Sequence, residues 1–293
     1  MMEAMGAAAA GWQWDETLYA GAAPHYGVGR MPYPGEVADA LRSELGLDGT
    51  GRLLDVGCGP GPLTLLLAPL FGSATGVDGS AGMIAAARAR ARRAGVANVD
   101  WLLMRAEDIP PGLGRFRVVT FAQSFHWLDR PRVARLVAGV LEPAGACVLV
   151  YATTHEGVPG DHPLPLPRPP RAEIYRLVEA YLGSTRRAGR GTRSAAAAVS
   201  EETIHFSDED VLSVAGFSGP TRLTVSGGRV AERTEDEIVA SVFSLSFAAP
   251  HLLGARRATF ERDMRALLRR VSPAGRFCEE PRGITVDVWR PAP

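Results

Sequence analysis

The sequence predicts an α/β protein built on a mostly parallel sheet with helices packed on both faces. Three observations carry this. Strand-like and helix-like runs alternate between residues 52 and 151, and the strands are continuously apolar rather than alternating. A glycine-rich turn, Asp55-Val56-Gly57-Cys58-Gly59-Pro60-Gly61, joins the first strand to a helix. With 293 residues, 46% hydrophobic and 22% charged, the chain can bury one large core or two unequal ones.

The elements follow in order. Arg52 to Val56 is a short apolar strand, and Pro62 to Phe71 an apolar helix with proline suited to its first turn. Ala74 to Asp78 is the second strand. Ser80 caps a helix that ends at Gly95, a residue suited to the left-handed C-terminal position. Val99 to Met104 and Arg117 to Ala122 are strands three and four; Pro131 to Leu141 is a helix and Ala146 to Tyr151 the fifth strand. Beyond it the pattern changes. His155 to Pro170, rich in proline and glycine, reads as a loop, and Glu173 to Leu182 as a helix. Gly183 to Ser200 has no clear period. Arg222 to Val225 reads as a strand, Asp236 to Phe247 and Arg256 to Val271 as helices, and Ile284 to Trp289 as an alternating strand. The expected division is an N-terminal lid segment at 1–34 and a core at 35–154. Cap insertions at 155–220 and 226–282 separate the last strands, 221–225 and 283–293, which complete the core sheet.

Composition excludes several classes. Lys+Arg and Asp+Glu are each 32, so the net charge is zero, which argues against nucleic acid or an anionic membrane as the main partner. All the basic residues are arginine; without lysine there is no Schiff base and no phosphate-binding loop of the lysine type. No run of about 18 apolar residues exists to span a bilayer. Met1 to Ala10 is small and apolar but lacks a basic region, so it does not read as a signal peptide, and a cytoplasmic location is expected. Cys58, Cys147 and Cys278 are too scattered for a disulfide framework or a zinc site, and the histidines show no metal spacing, so no metal is expected.

Glycines between a strand and a helix let the backbone approach a ligand closely. In this turn the third glycine, Gly61, comes one residue early for the nicotinamide pattern, and an acidic residue precedes the first glycine by two. Asp78, ending the next strand, can accept hydrogen bonds from both hydroxyls of a ribose. On Tyr26, Arg30, Tyr33-Pro34, the Leu54 to Gly61 turn, Gly76-Val77-Asp78, Met83, Ala106 to Pro110 and Phe121 to Trp127, the chain resembles the class I S-adenosylmethionine-dependent methyltransferases, of the ubiquinone/menaquinone-biosynthesis and trans-aconitate type. The resemblance covers residues 24 to 151. It implies a Rossmann-like, seven-stranded, mostly parallel sheet whose last strand is antiparallel between the fifth and sixth, with a helical substrate-cap insertion.

The resemblance also implies roles. Asp55, Gly57, Cys58, Gly59 and Gly61 would line the methionine part of S-adenosylmethionine. Asp78, with Gly79 beside it, would hold the ribose, Met83 the adenine face, and Ala106 and Glu107 the adenine edge. Gln123, beside Ser124, would offer its carbonyl to the amino group, and Arg30 or Tyr26 would reach the carboxylate. Many relatives carry Asp where this chain has Arg105.

Methyl transfer from a sulfonium needs alignment above all. His126, after the fourth strand, is the candidate catalytic base; the alternative is a histidine packed between Phe125 and Trp127. His155, after the fifth strand, is a weaker rival. Aromatic residues near the expected cleft (Trp12, Trp14, Tyr19, Tyr26, Tyr33, Phe125, Trp127, Phe243, Phe247) suit a medium-sized, partly apolar acceptor or, residue by residue, ordinary packing. Tyr19, Tyr33, Phe125, Trp127, His155, Phe243 and Phe247 are the candidate substrate contacts. Arg88, Arg90, Arg92 and Arg93 read as a solvated helix face, and Arg186, Arg187, Arg190 and Arg193 lie in the stretch without a period. The lack of an Asn-Pro-Pro-Tyr motif after the fourth strand weakens base or glutamine N-methylation. The expectation is an enzyme that methylates a small molecule, with oxygen first and carbon or nitrogen next, in secondary metabolism or quinone-like biosynthesis. No nucleic-acid or membrane partner is expected, and the state is a monomer or homodimer. A non-catalytic cofactor-binding regulatory or scaffold protein is the rival.

Overall fold

The computed structural model describes residues 17, 19–188, 191–194 and 207–293. Trp12, Trp14, Arg190 and His205 lie outside the described residues, as does most of the N-terminal half of the expected lid. The side chains of Arg186, Arg187 and Arg193 do as well.

The centre is one seven-stranded sheet. Its strands are β1 (Arg52–Val56), β2 (Ser73–Asp78), β3 (Val99–Leu103), β4 (Phe116–Ala122), β5 (Leu141–Tyr151), β6 (Phe217–Val225) and β7 (Ile284–Pro291). The spatial order is β3-β2-β1-β4-β5-β7-β6, and β7 runs antiparallel to both of its neighbours. The chain moves outward from β1 to β3, returns to β4 on the other side of β1, and continues away. The order therefore reverses between β1 and β4, which opens a crevice at their carboxyl ends.

Helices cover both faces, which is why the strands are apolar on both sides. Helix α1 is Ala23–Gly29, α2 Glu36–Leu45, α3 Pro62–Leu67, α4 Ala81–Ala94, α5 Arg130–Val140, α6 Arg171–Leu182, α7 Asp208–Val214, α8 Glu235–Phe243, α9 Pro250–Leu253 and α10 Arg257–Val271. One face buries Val37, Leu41, Leu63 and Leu67 of α2 and α3 against Leu53, Val148 and Val286. The other buries Val133 and Val137 of α5 and Val211 and Leu212 of α7 against Phe121, Leu149 and Trp289. Local signals fix the ends. The Ser80 hydroxyl accepts from the Met83 amide at 3.4 Å, and Gly95 closes α4 in the left-handed conformation.

The cap has its own core. Ile174 and Val178 of α6, Ile238 and Phe243 of α8, and Phe260 and Met264 of α10 pack together. A two-stranded ladder, Ala231–Thr234 with Arg276–Glu279, closes it. Glu279 is buried beneath two arginines, Arg171 at 2.8 Å and Arg233 at 3.1 Å.

Helix α2 and the cap ladder were not expected from the sequence, and four further features differ from the sequence expectation. The strand expected at Arg222 begins at Phe217; Gly219 and Pro220 hide its start, and proline is tolerated because β6 is the sheet's edge. Helix α7 lies within the expected cap insertion 155–220 yet packs Val211 and Leu212 into the sheet core. The stretch without a period holds a short hairpin, Thr185–Ala188 with Gly191–Ser194. Helix α1, with two glycines in seven residues, was not legible; it forms against α8, where a Cβ at Gly29 would lie 2.2 Å from the Ser241 nitrogen. Among the described residues no helix is long and apolar enough to cross a membrane.

Candidate active site

The crevice above β1, β2 and β4 is a cleft of about 770 Å³, its open mouth included. It is built from strand ends. The turn after β1 runs with positive φ at Gly57 (66°), Gly59 (56°) and Gly61 (74°), conformations that an L side chain rarely adopts. The three glycines serve different purposes. A Cβ on Gly57 would strike the Ser124 Cβ at 2.5 Å, and one on Gly61 the Trp101 ring at 2.4 Å. A Cβ on Gly59 would meet nothing within 4 Å, because that residue faces open space.

Asp78 is the organising charge. Its Oδ2 accepts from the Gly59 amide at 2.9 Å and its Oδ1 from the Ser80 amide at 2.8 Å. Each oxygen keeps a lone pair for a ligand. Burial raises the Asp78 pKa, and the two amides oppose that shift. On the next strand end, Gln123 holds φ at 57°, an uncommon value for a residue other than glycine. Its side-chain amide donates to the Val150 carbonyl at 3.3 Å, which leaves the side-chain oxygen as an acceptor. Tyr19 stands edge-on to Trp127, ring centroids 6.2 Å apart, and burial raises the Tyr19 pKa.

Of the residues expected from the sequence, Tyr26, Gly57, Gly59, Asp78, Gly79, Met83, Ala106, Gln123 and Ser124 line this cleft, together with Tyr19 and Trp127. The sequence reading missed Ser80, Met104, Ala122 and Leu128 as wall residues, and Arg105 lines the wall beside Ala106. Ala122 ends β4 and Met104 follows β3, so the rule that ligands meet the carboxyl ends of strands would have found them.

The other expected contacts lie elsewhere, for physical reasons. Asp55 is buried under the turn, where it accepts from Thr64 Oγ1 at 2.5 Å and Thr120 Oγ1 at 2.8 Å. Burial pushes its pKa up to about 6, against the pull of these two hydroxyls. Cys58 turns its thiol into an apolar cluster with Ile84, Ala87, Ala91 and Trp101, and burial raises its pKa. Gly61 caps α3 and gives way to Trp101. Glu107 accepts from the Asp129 amide at 2.9 Å, ahead of α5. Phe125 is buried 4.9 Å from Phe121, Phe243 lies in the cap core 5.9 Å from Phe260, and Phe247 faces Tyr175 at 6.4 Å. Tyr33 packs on the sheet core beside α2.

Arg30 does not line the cleft either. Its Nε donates to Ser244 Oγ at 2.8 Å and its Nη2 to the Ser244 carbonyl at 3.2 Å, while Nη1 lies 3.3 Å from His155 Nδ1. His155 is half-buried; burial and the nearby guanidiniums of Arg30, Arg171, Arg282 and Arg233 push its pKa down to about 3. His126 is exposed one residue from the wall, its ring centroid 5.1 Å from that of Trp127. The chain packed around part of the ring holds its pKa below the ordinary value, with Arg130 acting the same way and Asp208 opposing.

The residues present fit an adenosyl ligand that carries an amino acid. The cradle at Gly59 is open, the Asp78 carboxylate is aimed by two amides, and Met83 and Ala106 offer apolar surface. Comparison with known proteins agrees. Residues 53–145 match the family described as methyltransferase domain. The chain is 35% identical over 131 residues to the uncharacterized methyltransferase Rv3342 of Mycobacterium tuberculosis, an overlap of 45% of this chain and 50% of that protein. It is 33% identical over 100 residues to the uncharacterized methyltransferase YcgJ of Bacillus subtilis, covering 34% of this chain and 40% of the other. The chain thus spans about half the length, or less, of these curated relatives. Among solved structures, that of the [4+2]-cyclase SpnF shares the fold with a TM-score of 0.50 at 19% identity, over 97% of this chain and 99% of that one.

Proposed function

We propose that the chain, whose residues 53–145 match a methyltransferase domain, is a class I S-adenosylmethionine-dependent methyltransferase that methylates a small, partly apolar acceptor. Oxygen is the first-choice nucleophile, with carbon or nitrogen as alternatives, and secondary metabolism or quinone-like biosynthesis is the setting. The reading keeps the protein in the cytoplasm as a monomer or homodimer without nucleic-acid partners.

The observation that carries the proposal is the continuity of one cleft. Gly57, Gly59 and Asp78 line it, and Tyr19, Tyr26 and Trp127 line the same cavity. In this reading Asp78 accepts from the ribose hydroxyls, Met83 and Ala106 flank the adenine, and the Gln123 side-chain oxygen faces the amino group. The cofactor, when bound, supplies an activated methyl group on a sulfonium. The chain's own task is alignment and exclusion of water. Orientation of this kind contributes about 7–11 kcal/mol, and the aromatic wall with Leu128 keeps the reacting end dry.

A proton must also leave when the acceptor is a phenol or an alcohol. His126 at the rim takes the base role in this reading. A base acts deprotonated, so kcat should rise with pH through an apparent pKa below about 6.5. His126→Ala should remove that limb and lower kcat by about 10²–10⁴. A flat wild-type profile with chemistry rate-limiting would return His126 to a packing role and point to an acceptor already ionised. The proposal itself is tested by mass spectrometry for the gain of one methyl across phenols, carboxylic acids, amines and prenylated compounds. Methylated product from one of these classes supports it. Cofactor binding without product from any class would favour the non-catalytic alternative.

A further inference from the structure

We propose that Arg30 and His155 form an anion subsite on the cap side of Tyr26, and that it takes a carboxylate of the methyl acceptor. The inference rests on the methyltransferase reading and adds a substrate class to it.

Arg30 closes the C-terminus of α1, and its guanidinium carbon lies 4.7 Å from the centroid of the Tyr26 ring, a ring that lines the cleft. Its partners are the Ser244 hydroxyl, the Ser244 carbonyl and the His155 ring, all neutral. The neighbouring arginines are different. Arg171 and Arg233 share Glu279, and Arg282 pairs with Glu156 at 3.0 Å. Four guanidiniums thus act on His155 against two carboxylates, and Arg30 is the one that no carboxylate of the described residues pairs. A half-buried cation left uncompensated in this way favours an anionic ligand.

The contact with Arg30 also fixes the histidine. A guanidinium only donates, so Nδ1 of His155 is the acceptor and the ring proton sits on Nε2. Burial, together with the surrounding arginines, keeps the ring neutral over the ordinary pH range. His155 is therefore a donor and not a base, and among the described residues its Nε2 has no hydrogen-bond partner. Arg30 uses three of its five N–H groups on Ser244 and His155. The remaining N–H groups and the His155 Nε2–H make a donor set of the kind that holds a carboxylate.

The position favours the acceptor over the cofactor. Arg30 touches Ser244, which follows α8 of the cap, and His155, which follows β5. It takes no part in the wall formed by the glycine turn, Asp78 and Gln123.

The test uses the full chain saturated with S-adenosylhomocysteine and titrated by calorimetry with benzoate and with its neutral isostere benzamide. The expected result is benzoate binding at least tenfold tighter than benzamide. Arg30→Gln, which can still donate to Ser244, should remove that preference while S-adenosylhomocysteine affinity stays within twofold. His155→Gln, which keeps a donor, should retain it. Equal binding of the two probes by the wild type, or binding of neither, overturns the subsite without recourse to a variant. A tenfold loss of S-adenosylhomocysteine affinity in folded Arg30→Gln overturns it too, because the guanidinium then serves the cofactor's carboxylate and the methyltransferase reading stands. Failure of the wild type to bind S-adenosylhomocysteine overturns both.

Discussion

Gly59 and Gly61 are two residues apart and share a backbone conformation, yet they predict opposite outcomes on substitution. Gly61→Ala drives a methyl into the Trp101 ring, 2.4 Å away, on top of the positive-φ strain, and should cost about 2 kcal/mol or more of stability in urea denaturation. Gly59→Ala carries the φ strain alone, about 1–2 kcal/mol, but places its methyl in open space at the cleft, so S-adenosylhomocysteine affinity should fall more than stability does. Equal stability losses would mean that Trp101 yields and that Gly61 is not a packing residue. Asp55 supplies the pH dependence. Its native pKa of about 6, raised by burial, exceeds the unfolded value of ~3.9. The native state therefore binds the proton more tightly, and the group's contribution is full below the unfolded pKa and falls as pH rises from about 4 to about 6. The stability difference between wild type and Asp55→Asn should shrink by about 2–3 kcal/mol across that window, and a constant difference would contradict the burial argument. These residues also mark the limit of sequence. The turn was legible because positive φ calls for glycine, and Asp78 because an acidic residue at a strand end suits ribose hydroxyls. Which side chains face the cleft was not, since Asp55 and Cys58 differ from Gly59 only in where a strand end points them.

Helix α1 shows the same limit for an element. Its glycines weaken helix propensity by about 1 kcal/mol each, so nothing local announces it; the helix exists because Gly29 lets its backbone press on α8. Arg233 of the cap ties the pair by donating to the Gly29 carbonyl at 2.8 Å. The described part of the expected lid is therefore docked on the cap. Gly29→Ala must separate the two helices, and hydrogen exchange in residues 23–30 should speed up at least tenfold while β1 and β4 stay unchanged. Unchanged exchange in α1 would show that another contact holds it. In the wild type, the same amides should slow when S-adenosylhomocysteine binds, as a closing segment requires.

At the scale of the molecule, the sheet was readable because each parallel strand is a short apolar run, with helices following β1, β2 and β4 and only short turns between β3 and β4. The cap was readable only as an interruption. Its core is made of contacts between α6, α8 and α10, distant in sequence, and its buried Arg171–Glu279–Arg233 cluster carries no local pattern. Expected substrate residues such as Phe243 belong to that core, which is why aromatic content alone misplaced them. The central claim is that the cleft between β1 and β4 binds an adenosyl amino acid through Asp78. Calorimetry with S-adenosylhomocysteine and NADH, on wild type and Asp78→Ala, tests it most directly. Each charge-assisted hydrogen bond lost is worth about 1.5–3 kcal/mol, so the account predicts one S-adenosylhomocysteine site per chain, no NADH binding, and affinity at least tenfold weaker in the variant. Binding of NADH in place of S-adenosylhomocysteine, or unchanged affinity in a folded Asp78→Ala protein, would contradict it.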